Sequence, residues 1–306
     1  MIVWLPASLL AGLFQAWRTA LQHRLRTELT VNGAGLVRYA YGAPVAIVLA
    51  AGYLAARGIA WPPLDAAYLG WAAAAGLAQI LATNLLIMAF GHRNFVVGTA
   101  FSKTEVVQAA IFAWLVLGER LAGLVVAGIV AGVAGVLALA LGGRQLSPRD
   151  IASALGQPAA LCGLGAGALF ALTGVLVKRA TLHLAMSDLV AGALVTLVVV
   201  LVLQTAMLGT YVAVREPATW RRIGATWRTS GQVGLLAALG SACWFTGFAT
   251  APVALVRVVG QVEVLFTLGF SRLMLREATR PHEVLGLLLV TAGVVLALAG
   301  SLGPAY

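Results

Sequence analysis

Glu105 and Glu263 each stand near the middle of a long apolar run, with Lys103 two residues before the first and Arg257 six before the second. A charge at the centre of a membrane-spanning helix costs roughly 2.5–3.5 kcal/mol on insertion scales, so such residues pair with one another or face a water-filled path. A buried carboxylate whose cationic partner can swing away is able to load and release a proton. Two readings stand side by side. In one, the two acids form structural ion pairs with Lys103, Arg257 or Arg38 that fix how the chain packs. In the other, Glu105, and with it Glu263, contacts a substrate or couples its movement to protons.

On a regular helix Phe101, Glu105, Gln108 and Phe112 share one face: aromatic, acid, amide, aromatic. That face suits the wall of a cavity. Lys103 lies about 200° round the helix from Glu105, so both reach one cavity only if the helix unwinds between them. Gln15, Gln79, Asn84, Trp114 and Trp244 are further polar or aromatic residues inside apolar runs and are candidates for lining the same cavity. With Arg38 counted, three interior bases oppose two acids, a surplus that suits an anionic substrate group.

The elements that hold these residues are membrane spans. Of 306 residues 61% are hydrophobic and only 10% are charged, against about 25% charged in a soluble domain. Ten apolar runs of spanning length are expected at 3–21, 33–55, 66–90, 94–117, 121–142, 158–178, 185–208, 231–250, 253–275 and 282–302. They are continuously apolar and do not alternate, which selects helices over a barrel. The fold class is therefore all-α integral membrane. The segment 209–230, with Trp220 and Trp227 among four arginines, suits a short amphipathic helix at the interface. The N-terminus, with no basic region and no small-residue cleavage site, reads as a retained first helix.

Residues 101–142 and 259–300 align without a gap at an offset of 158, with 12 identities in 42 positions. Glu105 meets Glu263, Glu119 meets Glu277, Gly128 meets Gly286 and Gly135 meets Gly293. Two glutamate pairs with the same internal spacing are far less common by chance than matched leucines. The chain thus divides into a first five-helix repeat (1–143), a connecting loop (144–157) and a second repeat (158–306). Five is odd, so the second repeat enters the membrane inverted, the architecture of many secondary transporters with a central, midplane site.

At these residues the sequence resembles the EamA family of the drug/metabolite transporter superfamily. The resemblance rests on "LVLGERL" (115–121) and "GIVAGVAGVLAL" (128–139), on their partners "LMLREAT" (273–279) and "GLLLVTAGVVLAL" (286–298), and on "LVRYAYGAP" (36–44). It implies ten helices around a central cavity between two halves. It also implies export or exchange of small organic metabolites, amino-acid-like or drug-like, often proton-coupled. Small multidrug resistance relatives use a glutamate in their first helix. Residues 3–21 hold no acid, so that role does not carry over.

The formal net charge of +10 follows the positive-inside rule, not nucleic-acid binding. Twelve arginines lie in odd-numbered connections against four basic residues in even ones, which puts both termini on the non-cytoplasmic side. The expected location is a bacterial inner (cell) membrane. Cys162 and Cys243 sit in apolar runs as packing residues, and neither a cofactor nor a metal is expected. No GxxxxGK[ST] loop occurs. The segment "LGSACW" (239–244) lacks a protease-like second glycine, and all four histidines lie in connections or at span ends, so no enzyme is expected. The expected partners are a small-molecule substrate and the lipid bilayer, with monomer and homodimer both open. The rival reading is a non-transporting scaffold or lipid-handling protein.

Overall fold

The computed structural model describes residues 3–25, 28–91, 101–140, 158–266, 269 and 281–301. Among these the chain is helical throughout and has no strand. The helices are α1 (Trp4–Leu25), α2 (Val31–Ala40), α3 (Gly42–Arg57), α4 (Ala66–Gly91), α5 (Glu105–Leu117) and α6 (Gly123–Ala140). They continue with α7 (Pro158–His183), α8 (Leu189–Arg215), α9 (Ala218–Ala225), α10 (Trp227–Thr250), α11 (Val253–Gly260) and α12 (Pro281–Ser301). Among the described residues, five stretches are long and apolar enough to cross a bilayer: Val31–Arg57, Ala66–Ala89, Pro158–His183, Leu189–Arg215 and Trp227–Thr250.

Contacts group the chain into two compact units, Met1–Ile80 with Leu176–Ala251, and Leu81–Val175 with Pro252–Tyr306. These are not the two sequence repeats, since each unit takes helices from both halves. The boundaries fall inside α4 and inside α7.

In the first unit α8 packs on α2, α3 and α10, and α1 lies along α10. Polar knots tie the connections together. Glu216 accepts from the Thr30 hydroxyl and, at 2.6 Å, from the Asn32 amide. Asp188 caps α8 by accepting from Val190 N at 2.9 Å and Ala191 N at 3.1 Å. It also accepts from the Tyr53 hydroxyl at 3.0 Å, with Arg57 at 3.5 Å, and His183 meets Asp65 at 2.9 Å. The Glu216 knot joins the connections after the first and seventh expected spans. The Asp65–His183 contact joins those after the second and sixth.

Hydrogen bonds from Thr30 and Asn32 hold the Glu216 carboxyl below the usual carboxylate range despite its partial burial. At Asp188, burial pushes the carboxyl up, but the α8 amides, Tyr53 and Arg57 outweigh it and the net direction is down. Carboxyls lowered in the folded state contribute stability that is present above their unfolded pKa and lost as pH falls through the folded value. Asp188→Ala is expected to cost about 1–2 kcal/mol, the upper range for a lost N-cap. Unfolding followed at pH 7 and again under acid should show the difference from wild type shrinking as the pH drops.

In the second unit α6 and α12 run side by side with backbones in contact. A Cβ added at Gly128 would lie 2.6 Å from Gly293 O, and one at Gly135 2.7 Å from Gly286 O. One at Gly300 would lie 2.8 Å from Val125 N. Low numbers on one helix meet high numbers on the other, so the pair is antiparallel. The contacts also exchange: Gly128 meets the repeat partner of Gly135, and Gly135 meets the partner of Gly128. That is the self-complementary pattern of a two-fold relation. Small residues allow this approach in an apolar medium. Gly128→Val places a stiff branched side chain against backbone that cannot yield. It is expected to cost about 3 kcal/mol or more, the severe end of overpacking, read as a lower unfolding midpoint in micelles.

Candidate functional site

The expected fourth and ninth spans are not continuous helices. Residues 101–102 are helical, 103–104 form a turn, and α5 begins at Glu105. Likewise α11 ends at Gly260, 261–262 form a turn, and 263–266 are helical. Adding 158 to 103–104 gives 261–262, so both breaks occupy one repeat position.

Each break has a local cause. The Thr104 hydroxyl donates to Phe101 O at 2.6 Å, a side-chain bond that competes with the helical ladder, and the Gln108 amide donates back to Thr104 Oγ1 at 2.9 Å. In the ninth span Gly260, a poor helix former, precedes a turn in which Gln261 N bonds Val258 O and Val262 N bonds Val259 O, both at 3.1 Å. Gly167 of α7 lets the fourth-span break approach closely. A Cβ there would stand 2.9 Å from Ser102 O and 3.4 Å from Glu105 N.

The breaks set the chemistry. Glu105 and Glu263 become the first residues of helical segments, where the amide dipoles favour a carboxylate. Each takes a cation from the other span. Arg257 Nη1 lies 3.4 Å from Glu105 Oε1, and Lys103 Nζ lies 4.0 Å from Glu263 Oε2. Arg257, buried at 8% exposure, also donates through Nη2 to Phe170 O of α7 at 2.9 Å. Charge-assisted hydrogen bonds run roughly 2.7–2.9 Å, so both pairs are loose. Residues 103–104 form a turn, with Thr104 still in the right-handed region.

Gln261, the repeat partner of Lys103, is the residue sequence reasoning left out. It is 8% exposed, and neither Oε1 nor Nε2 has a hydrogen-bond partner among the described residues. Its side chain lies against the backbone of Gly132, where a Cβ would stand 2.2 Å from Oε1. Its sequence signal was its alignment with a charged residue.

Arg38 is buried in α2 of the first unit, 5.6 Å from the Tyr39 ring centroid. Gln15 and Trp244 bond to each other in the first unit at 3.0 Å. Gln79 accepts from Gln204 at 2.7 Å, and Gln204, fully buried in α8, is a second polar residue the sequence reading passed over. Asn84 is half-buried on α4, in the second unit. Trp114 is 59% exposed beside exposed Leu115, which suits a lipid-facing ring rather than a cavity wall.

Glu119 does more than mark a helix end. Gly118, at φ +69°, closes α5, Glu119 N bonds back to Ala113 O at 3.2 Å, and Glu119 Oε2 accepts from Val253 N at 3.0 Å. The "LGE" triplet thus ends the fourth span and caps the first half of the ninth. Glu277 lies outside the described residues.

The model of the EamA-like transporter family matches residues 157–299. Over these residues the chain is similar to the EamA-like transporter family. The matched residues include Arg257, Gln261 and Glu263. The family is one of transporters, not enzymes, and places the protein in a membrane. Over 96% of this chain and 98% of the other, the fold matches a crystal structure described only as that of a protein, with a TM-score of 0.70 and 16% identity. That likeness concerns the fold alone. No curated protein matches the sequence significantly.

Proposed function

We propose that the protein is a secondary transporter, an exporter or exchanger of small organic metabolites, whose site lies at the paired breaks of the fourth and ninth spans. The observation that carries this is the coincidence of both breaks with one repeat position and with four oppositely charged side chains. Interrupted spans at corresponding positions of two inverted halves mark midplane sites in secondary transporters. Ten spans in two inverted five-helix repeats accommodate the crossed pairs, and the exchanged α6–α12 contacts suit that arrangement.

The mechanism follows from the loose pairs. A substrate bearing a charged group displaces one partner from its carboxylate, and the freed carboxylate takes a proton or a second substrate group. Alternating access in an inverted repeat exchanges the roles of the halves. The contact Lys103–Glu263 is then replaced by its image, Gln261–Glu105. Gln261, without a partner in the present state, receives one in the other. Each carboxylate faces a cation, so proton coupling requires one carboxylate to lose its cation during the cycle.

The test is flux into proteoliposomes under an imposed pH gradient, with a mixed panel of amino acids, nucleobases and cationic drugs read by mass spectrometry. Wild type is compared with Glu105→Gln and Glu263→Gln of verified fold. Gradient-driven flux that disappears in Glu105→Gln supports the assignment. Unchanged flux in both variants returns the acids to a structural role.

A further inference from the structure

The segment 215–229 has a second possible task, independent of the site above. Helix α9 is held rigidly: Thr219 and Ile223 are 3% and 4% exposed, and the Tyr41 hydroxyl donates to Ile223 O at 3.4 Å. The Trp220 ring lies over Gly209 of α8, 3.6 Å from where its Cβ would be. The opposite face is open. Arg215, Arg221, Arg222 and Arg228 are exposed, and none pairs with a carboxylate among the described residues. Trp220 and Trp227 are 41% and 59% exposed. Beside them opens a cleft of about 400 Å³ lined by Glu28, Ala225, Thr226, Trp227, Arg228 and Thr229.

We propose that this face binds the headgroup of an anionic phospholipid. Tryptophan rings settle at headgroup depth, where the α8–α9 junction lies if α8 spans the bilayer. Four arginines free of carboxylates supply the guanidinium forks that match a phosphodiester. The Thr229 hydroxyl adds a neutral donor at the cleft, while that of Thr226 donates to Arg222 O at 3.0 Å. Glu28 is the one acid on its wall and opposes the anion, which limits the cleft's own affinity and makes a distinctive test.

The full-length protein in neutral detergent is titrated with phosphatidylglycerol, phosphatidylcholine and phosphatidylethanolamine. Bound lipids are counted by native mass spectrometry and the melting temperature is followed in parallel. Phosphatidylglycerol should be retained selectively and released by salt. Each Arg→Gln change at 221, 222 or 228 should weaken it about fivefold, and the triple variant roughly a hundredfold if the arginines act independently. Should the triple variant fail to fold, the single variants carry the comparison. Glu28→Gln should strengthen binding. Equal retention by wild type and the arginine variants overturns the proposal, as does equal affinity for phosphatidylcholine. Glycerol 3-phosphate matching phosphatidylglycerol would make this a soluble-anion site. Preference for phosphatidylethanolamine, lost in Glu28→Gln, would make the headgroup zwitterionic.

Discussion

Arg257→Met is expected to lower the stability of the folded chain by about 3–5 kcal/mol, because it removes one partner of a buried ion pair and leaves the other without its cation. Arg257 also loses its bond to Phe170 O, and that carbonyl keeps only its helical partner. Adding Glu105→Gln should return most of the loss, since an uncharged amide needs no counter-ion and the two sites are in contact. Unfolding in micelles measures the cycle. Transport measured on the same four proteins then divides the two roles. If Glu105 serves only to balance Arg257, the stable double variant should move substrate nearly as well as wild type. If Glu105 takes part in the cycle, the double variant is folded and inactive. A double variant no more stable than Arg257→Met alone would show that the 3.4 Å contact contributes nothing.

The charged cluster was partly legible beforehand. Glu105 and Glu263 stand out because an acid in an apolar run is costly, and the 158-residue offset makes them equivalent. The candidate cations Lys103, Arg257 and Arg38 were legible, but not which acid each meets, because each cation comes from the other span and no local spacing connects residue 105 with residue 257. Nor were the breaks. Residues 101–117 and 253–266 are apolar enough on either side of the turns to read as unbroken spans, and hydropathy has no term for a threonine hydroxyl that takes over a carbonyl. Trp114, a cavity candidate by type alone, is largely exposed: residue type near a polar face does not set the side of the helix that an aromatic takes. Gln204 was missed though it interrupts an apolar run as Asn84 does, since its role depends on Gln79 and Gly76 O of another helix. The repeat pairs Glu119 with Glu277, but its cap on Val253 N follows from tertiary placement that the repeat alone does not encode.

Gln261→Met is expected to make the protein more stable and a poorer transporter. Methionine is unbranched and of similar length, so it passes Gly132 where a branched side chain would strike the backbone. It also removes two buried polar atoms with no partner, whose desolvation costs about 1–3 kcal/mol. A stability gain of that order should appear as a higher unfolding midpoint. A group that is unfavourable in one state and satisfied in another biases the equilibrium between them, so its removal deepens the present state. If the amide meets Glu105 when the halves exchange roles, Gln261→Met raises the free energy of that second state as well. Both changes slow turnover, and about 1.4 kcal/mol between states is a tenfold change in population. Flux should therefore fall about tenfold or more while substrate affinity in the present state changes little. Gln261→Lys supplies the control, because a cation at the repeat partner of Lys103 would favour the exchanged contact with Glu105 and shift the population the opposite way. Interspin distances between labels on α5 and α11 would report that shift. A Gln261→Met protein that gains stability and transports at the wild-type rate would show that the amide has no partner anywhere in the cycle.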